Sequence, residues 1–291
     1  MDTWRRVGFL AGQFGLMCLV RFFLQWVIRF AKQPVEAANE LGAATLFSGA
    51  AVGAALLAFR IFDGVTDPVA GVLGDGWVRR GHERRSLLWF AFALPAVGLL
   101  LSFAPHAHMG LALRWTLLLA GMFVFFVGYT LYAIPFWSLI EDYAQGSADE
   151  RRTLSNLLGA GILLATAAAF VLSPALVQRW GFFRAAVAFA LPSTAFMALP
   201  YFCAPRRAAG EHAPVRLRPA RGGFAWSSVL EALRHRRFVA VVVLLGGSQM
   251  SFTVMTSAAP FIAERLLGGT DADVARLLGP FLATAIPFFC L

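Results

Sequence analysis

Eight stretches of this chain are apolar over roughly the ~20 residues that a helix needs to cross a bilayer. They fall at 7–31, 42–72, 86–105, 112–140, 154–177, 182–203, 238–262 and 274–291. In hydrocarbon every backbone N–H and C=O must find its partner within the segment, which leaves helices as the spanning form for runs of this length. The runs therefore predict an all-α membrane protein. Composition agrees, with 59% hydrophobic and 14% charged residues, where a soluble domain carries about 25% charged. The first run is long and lacks a small-residue cleavage pattern, so it reads as a retained helix rather than a signal peptide.

Between the sixth and seventh runs lies a polar stretch rich in Arg, Pro and Gly, holding Arg206, Arg207, Arg216, Arg218, Arg221, Arg234, Arg236 and Arg237. It divides the chain into a six-helix bundle at 1–203, a basic linker at 204–237 and two further helices at 238–291. Within the linker, 225–237 has the pattern of a short amphipathic helix on the membrane surface. The last run stops inside an apolar segment. Six helices, a linker and two more helices suggest a two-bundle transporter cut short. On that reading the first bundle presents a groove lined by its first, second, fourth and fifth helices, and the last two helices pack loosely at its side.

The net charge of +9 does not mark a nucleic-acid binder. Its basic residues form neither one face nor one tail, but short clusters between apolar runs, as membrane topology requires. With the N-terminus in the cytoplasm, sixteen basic residues fall on the inner side and seven on the outer, leaving Arg21 and Arg60 within the membrane. That asymmetry puts the N-terminus inside, in a bacterial inner membrane. Cys18, Cys203 and Cys290 lie in or beside apolar runs without metal spacing. They read as small buried hydrophobes. No metal cluster, catalytic triad or phosphate loop stands out, so no enzyme activity and no cofactor are expected.

The charges at membrane depth carry the functional signal. Arg60, Asp63 and Asp67 stand at the end of the second apolar run. A charge at such depth costs at least ~2.5–3.5 kcal/mol on insertion scales. Asp63 and Asp67 are four apart and share a helix face, with Arg60 one turn earlier. The three sum to −1, and one Na⁺ or H⁺ would bring the site to zero. The plain alternative is an internal salt bridge, which would leave one Asp unpaired.

On the first helix Gln13, Arg21 and Gln25 recur at spacings of four around Met17, and Arg29 continues the series. Such a stripe on a spanning helix points to a bundle interior or a watery cavity. Arg21 either meets an anionic group of a solute, since guanidinium pairs bidentately with carboxylate or phosphate, or it balances Asp63 and Asp67, or it snorkels. Trp26, Tyr129, Tyr132 and Trp137 can supply an aromatic wall to a solute site, or simply pack.

The segment Phe59-Arg60-Ile61-Phe62-Asp63-Gly64-Val65-Thr66-Asp67-Pro68-Val69-Ala70-Gly71 resembles the second-helix signature of the glycoside–pentoside–hexuronide cation symporters. These form the melibiose-permease-like branch of the major facilitator superfamily. Gly128-Tyr129-Thr130-Leu131-Tyr132-Ala133-Ile134-Pro135-Phe136-Trp137-Ser138-Leu139 resembles the fourth-helix motif of the same family. The resemblance implies a twelve-helix fold in two halves with a midplane site between them. It further implies that Asp63 and Asp67 hold the coupling Na⁺ or H⁺, that Thr130 adds an oxygen ligand, and that Trp137 lines the solute pocket. Asp75 with Arg79 and Arg80, and Glu141 with Arg151, resemble the ion pairs that hold one conformation of facilitator proteins shut; the plain alternative is a solvated loop on the positive inner side.

Three departures accompany the resemblance. Melibiose-type members anchor the sugar with an Asp in helix one, an Asp in helix four and an Arg in helix five. The corresponding helix-one positions here are Leu16-Met17, the helix-four position is Ala133, and no basic residue lies between Arg152 and Arg179. The leading expectation is a cation-coupled symporter of a small sugar-like or anionic solute. The alternatives are a transporter of lysophospholipids or other amphiphiles, and a truncated membrane protein without transport.

Overall fold

The computed structural model describes residues 3–34, 45–204 and 234–290. It is helical throughout these residues apart from short connections. The helices are α1 (Thr3–Ala31), α2 (Gly49–Arg79), α3 (Arg85–Ala91), α4 (Leu94–Phe103), α5 (Leu111–Ala144), α6 (Ala148–Cys203), α7 (Arg236–Arg265) and α8 (Val274–Cys290). Among the described residues, six helical segments are long and apolar enough to cross a membrane. The expected amphipathic helix and most of the basic linker lie outside the described residues. Arg236 and Arg237, assigned to the linker from sequence, instead open α7.

Local chemistry sets the helix ends. Ser48 caps α2 by accepting from the backbone N–H of Ala51, and Ser147 caps α6 by accepting from that of Glu150. Both are the short polar side chains that satisfy orphan donors in a first turn. α5 ends on Gln145 in the left-handed region, followed by Gly146 at φ +85°. α6 is two spans in one: Gly181 stands at φ 78°, ψ 171° and breaks it between the expected fifth and sixth runs. That backbone conformation is open to glycine and costly to other residues.

Two boundaries differ from the sequence reading in ways that matter. The second span begins at Gly49 and continues to Arg79. Asp63 and Asp67 therefore sit near the middle of α2 rather than at its end. The apolar residues before Gly49 belong in part to a connection; Leu46 and Phe47 pair through backbone N–H groups with the carbonyls of Gln33 and Ala31. The third span is interrupted between α3 and α4, where Pro95 stands at the start of α4. Proline has no N–H for the preceding turn, and its ring crowds the carbonyl four residues back.

α1 is the hub. Its Phe9, Leu16, Phe22, Phe23 and Trp26 are fully buried, and the helix packs along its length against α6. Small residues allow close approach. A Cβ at Gly15 would lie 2.5 Å from the Ser193 carbonyl of α6, and one at Gly98 only 2.2 Å from the Phe125 nitrogen of α5. Close backbone packing of this kind replaces the hydrophobic drive that is missing between helices in lipid. On α2 the pattern is inverted relative to a soluble helix. Ile61, Val65, Val69 and Leu73 are exposed, while Asp63, Ala70 and Gly74 face inward. An exposed apolar stripe with polar groups inside belongs to a helix bathed in lipid.

The sequence suggested that α7 and α8 pack loosely, and this holds for the N-terminal half of α7 but not for the rest. The C-terminal half of α7 buries Thr256, Ser257, Ala259 and Ala263, and α8 buries Leu278 and Leu282. Phe281 and Phe252 lie against Phe170 of α6. By contrast the N-terminal half of α7, including Val241, Val243, Leu244 and Met250, is exposed.

Candidate functional site

The centre of the site is a junction between α2 and α5. The Thr130 hydroxyl lies 2.6 Å from Asp63 Oδ1 and 3.0 Å from Asp67 Oδ1. Helical spacing puts the two carboxylates on one face, and Thr130 reaches that face from the neighbouring helix. Asp63 is 6% exposed and Thr130 2%. Arg60 Nη1 approaches the other oxygen of Asp63 at 3.5 Å and its guanidinium lies over the Phe126 ring. Asp67 has no cationic partner among the described residues. The structure thus brings Asp63, Asp67 and Thr130 together, with Arg60 matched to one carboxylate.

This arrangement is incomplete as a hydrogen-bonded unit. A hydroxyl carries one proton and donates it fully to one oxygen at a time. The second Thr130–carboxylate approach is then oxygen against oxygen, and a proton or a cation relieves it. The donors are carboxylate and hydroxyl oxygens, the set that suits a hard ion. Oxygens around a hard ion at about 2.3–2.6 Å stand somewhat further apart than in a hydrogen bond. Na⁺ entry would turn the Thr130 proton away and spread the three oxygens, whereas H⁺ would fit the present spacing.

The predicted solute residues divide. Gln13 is fully buried and its Oε1 accepts from Trp137 Nε1 at 3.0 Å. Trp137 meets Tyr129 edge-on. Tyr129 precedes Thr130 on the same helix, so the two sets of residues adjoin. Arg21 forms no ion pair with Asp63 or Asp67; its guanidinium stacks on Phe252 of α7, 4.2 Å from the ring centroid. Among the described residues its Nε is buried without a hydrogen-bond partner, as is the Nε2 of Gln13. Gln25 is 0% exposed and neither amide atom has a partner among the described residues. A buried amide left unpaired costs about 1–3 kcal/mol on mutational scales. Three polar side chains of one α1 face thus keep unused hydrogen-bonding capacity. Of the other aromatic candidates, Trp26 donates to Ser173 and Tyr132 to the Met197 carbonyl. Both are structural ties between helices.

The end of the bundle that holds the starts of α1 and α6 and the end of α2 corrects part of the gating expectation. Arg79 and Arg80 are exposed and form no ion pair among the described residues. The cation facing Asp75 is Arg84, at 3.4 Å, and the same guanidinium reaches Asp142 at 3.7 Å and donates to the Ser138 carbonyl. Arg84 is nearly buried, whereas Arg79 and Arg80 follow the last turn of α2 outward. Glu141 and Arg151 do pair, at 2.9 Å, and Arg6 pairs with Glu150. Sequence reasoning also missed the opposite end of the bundle. There Arg29 contacts both Glu264 and Asp271. No spacing rule links residues so far apart in sequence. No group of His, Cys, Asp and Glu with metal-holding geometry is found among the described residues.

Comparison with known proteins bears on this geometry. Among curated proteins, none matches the sequence. Residues 41–291 match the family described as MFS/sugar transport protein. The match takes in α2 and α5 with their carboxylates and Thr130, while α1 and its polar face precede it. Crossing helices with exposed apolar faces, polar groups turned inward and this match over most of the chain lead to one conclusion: the protein belongs to the MFS/sugar transport protein family of the major facilitator superfamily, and is a multi-pass membrane protein.

Proposed function

We propose that this protein is a cation-coupled secondary transporter of the melibiose-permease-like branch, carrying a small sugar-like or anionic solute. In this reading Asp63, Asp67 and Thr130 hold the coupling Na⁺ or H⁺. The observation that carries it is the excess negative charge of the α2–α5 junction, where one cation is balanced against two carboxylates and one hydroxyl touches both. A group of charges costly to bury persists at mid-helix when it has a task there. The solute site lies along the α1 face, with Arg21 as its charged pole and Gln13, Gln25, Tyr129 and Trp137 as its walls. Asp75, Asp142 and Arg84, together with Glu141 and Arg151, steady the inner end of the bundle. The N-terminus faces the cytoplasm of a bacterial inner membrane, as the distribution of basic residues favours.

A second reading is transport of an amphiphile such as a lysophospholipid. It is favoured by Arg21 lying on the Phe252 ring, which offers one cation beside an apolar surface. Absence of the three sugar-anchoring charges points the same way. A flux panel of purified protein in liposomes separates the readings, using neutral sugars, uronates and lysophospholipids under imposed Na⁺ or H⁺ gradients. Uptake of a uronate or sugar that follows a cation gradient supports the first reading, and cation-driven movement of lysolipid the second. Flux of none of them under either gradient overturns both.

A further inference from the structure

Three spans finish and one begins around a cavity at the end of the bundle that holds the end of α1. The cavity lies between the end of α1, the residues that follow α4 and the break at Gly181 within α6, and has a volume of about 510 Å³. Its floor is aromatic. Phe30, Phe103 and Phe182 are buried, and the Phe30 ring is centred 5.1 Å from Phe103 and 5.6 Å from Phe182. Trp180 and Phe183 line it as half-exposed walls. The polar lining consists of Gln33, His106 and Arg184, with no carboxylate among the described residues.

Charge at this cavity is unbalanced. Gly181 ends one helix, and the next begins at Phe182, which puts Arg184 in a first turn. The N-terminal end of a helix carries partial positive charge, so a cation there stands at the disfavoured end of the macrodipole. Arg184 is exposed and forms no ion pair among the described residues. The acids of the neighbouring turn between α7 and α8 are matched already, Asp271 with Arg29 and Asp273 with Arg276. An anion between Arg184 and the helix start would relieve both. The setting says which kind of anion. Span ends stand at the depth of lipid headgroups, where exposed Trp is enriched. An aromatic cavity at that depth, with a surplus cation on its lining, matches an anionic head joined to an apolar body.

We propose that this cavity is a binding site for an acidic phospholipid of the surrounding bilayer. Its phosphate sits at Arg184, beside Gln33 and His106, and its chains leave past Trp180 and Phe183. Guanidinium meets phosphate through paired N–H···O contacts, which fix the headgroup as well as attract it. A free anion would use Arg184 and leave the aromatic floor without an occupant. The site shares no residue with the Asp63–Thr130–Asp67 junction or with the α1 face, and it does not rest on the transporter reading.

The test is lipid binding by the purified full chain in detergent, with phosphatidylglycerol and phosphatidylcholine offered together and bound lipids counted by native mass spectrometry. The parent is expected to hold one phosphatidylglycerol in preference to phosphatidylcholine. Arg184→Gln should weaken that binding about fivefold or more, the effect of one basic contact to an anionic headgroup. Arg265→Gln, an exposed arginine at the same end that does not line the cavity, should match the parent. Thermal unfolding gives a second readout: phosphatidylglycerol should raise the unfolding temperature of the parent more than that of Arg184→Gln, while the two unfold alike without lipid. Equal binding of the two lipids by the parent overturns the proposal, as does phosphatidylglycerol binding that Arg184→Gln leaves unchanged. Displacement of the lipid by millimolar inorganic phosphate overturns it too, since that marks a free-anion site. Inactivity in the flux panel would count against the transporter reading and leave the lipid site standing.

Discussion

Thr130 on α5 stands between the two carboxylates of α2, and its hydroxyl lies 3.0 Å from Asp67, a group with no cation of its own among the described residues. The account of cation coupling depends on that oxygen. Thr130→Val keeps the shape and removes the ligand, while Thr130→Ser keeps the ligand. The valine variant is expected to weaken cation affinity by about tenfold or more, equivalent to ~1.4 kcal/mol. The serine variant should stay within a few-fold of the parent. Cation-dependent changes in tryptophan fluorescence, Trp137 being near the site, give the readout. Equal losses in both variants would mean that Thr130 acts through packing.

Arg21 tests the solute side independently. Its guanidinium rests on Phe252 and pairs with neither Asp63 nor Asp67. Arg21→Gln is therefore expected to raise the KM for an anionic solute by about tenfold or more, the loss of one charge-assisted contact, and to leave the cation response nearly unchanged. A shift in cation affinity without a shift in KM would instead make Arg21 a counter-charge of the α2 site.

The end of α2 offers a comparison among three arginines within six residues. Arg84 is nearly buried against Asp75, Asp142 and the Ser138 carbonyl. Arg79 and Arg80 are exposed. Arg84→Gln should destabilise the purified protein by about 1–3 kcal/mol, the range for losing hydrogen bonds to a charged group. Arg79→Gln and Arg80→Gln should fall within about 0.5 kcal/mol of the parent, as surface changes usually do. Thermal unfolding followed by circular dichroism ranks the three.

Close helix packing makes a parallel prediction. A Cβ at Gly128 would lie 2.5 Å from Leu94 Cβ and 2.8 Å from the Pro95 nitrogen, whereas one at Gly53 meets nothing within 4 Å. Gly128→Val is expected to cost about 1–3 kcal/mol through overpacking. Gly53→Ala should not lower the melting temperature, since it adds no clash and substitutes a better helix former.

Much of this was legible in the sequence because the bilayer is so restrictive a solvent. Apolar length alone picked out the runs that form the six long apolar segments among the described residues, and the cost of charge at depth pointed to Asp63 and Asp67. What the sequence hid were relations between helices. The interruption ahead of Pro95 was missed because the run from Leu87 to Leu101 is uniformly apolar, and a proline inside such a run can kink a helix or merely lie within it. Arg84 was passed over for Arg79 and Arg80 because a cluster of loop arginines carries no mark of which one turns inward. The partners of Arg29 lie more than two hundred residues away, at Glu264 and Asp271. No periodicity within α1 could name them. The α1 face itself was visible as a four-residue recurrence, but the unpaired state of Gln25 emerged only from burial.

The central claim is that the Asp63–Thr130–Asp67 junction binds the coupling cation, and ion titration of the purified protein tests it most directly. Na⁺ is titrated at fixed pH by calorimetry, and proton uptake is followed potentiometrically as the pH is lowered, for the parent and for Asp67→Asn. The parent should show one saturable event per chain, either Na⁺ binding or a protonation that Na⁺ shifts, and Asp67→Asn should lack it while unfolding at a similar temperature. The same ion response in both proteins would contradict the account.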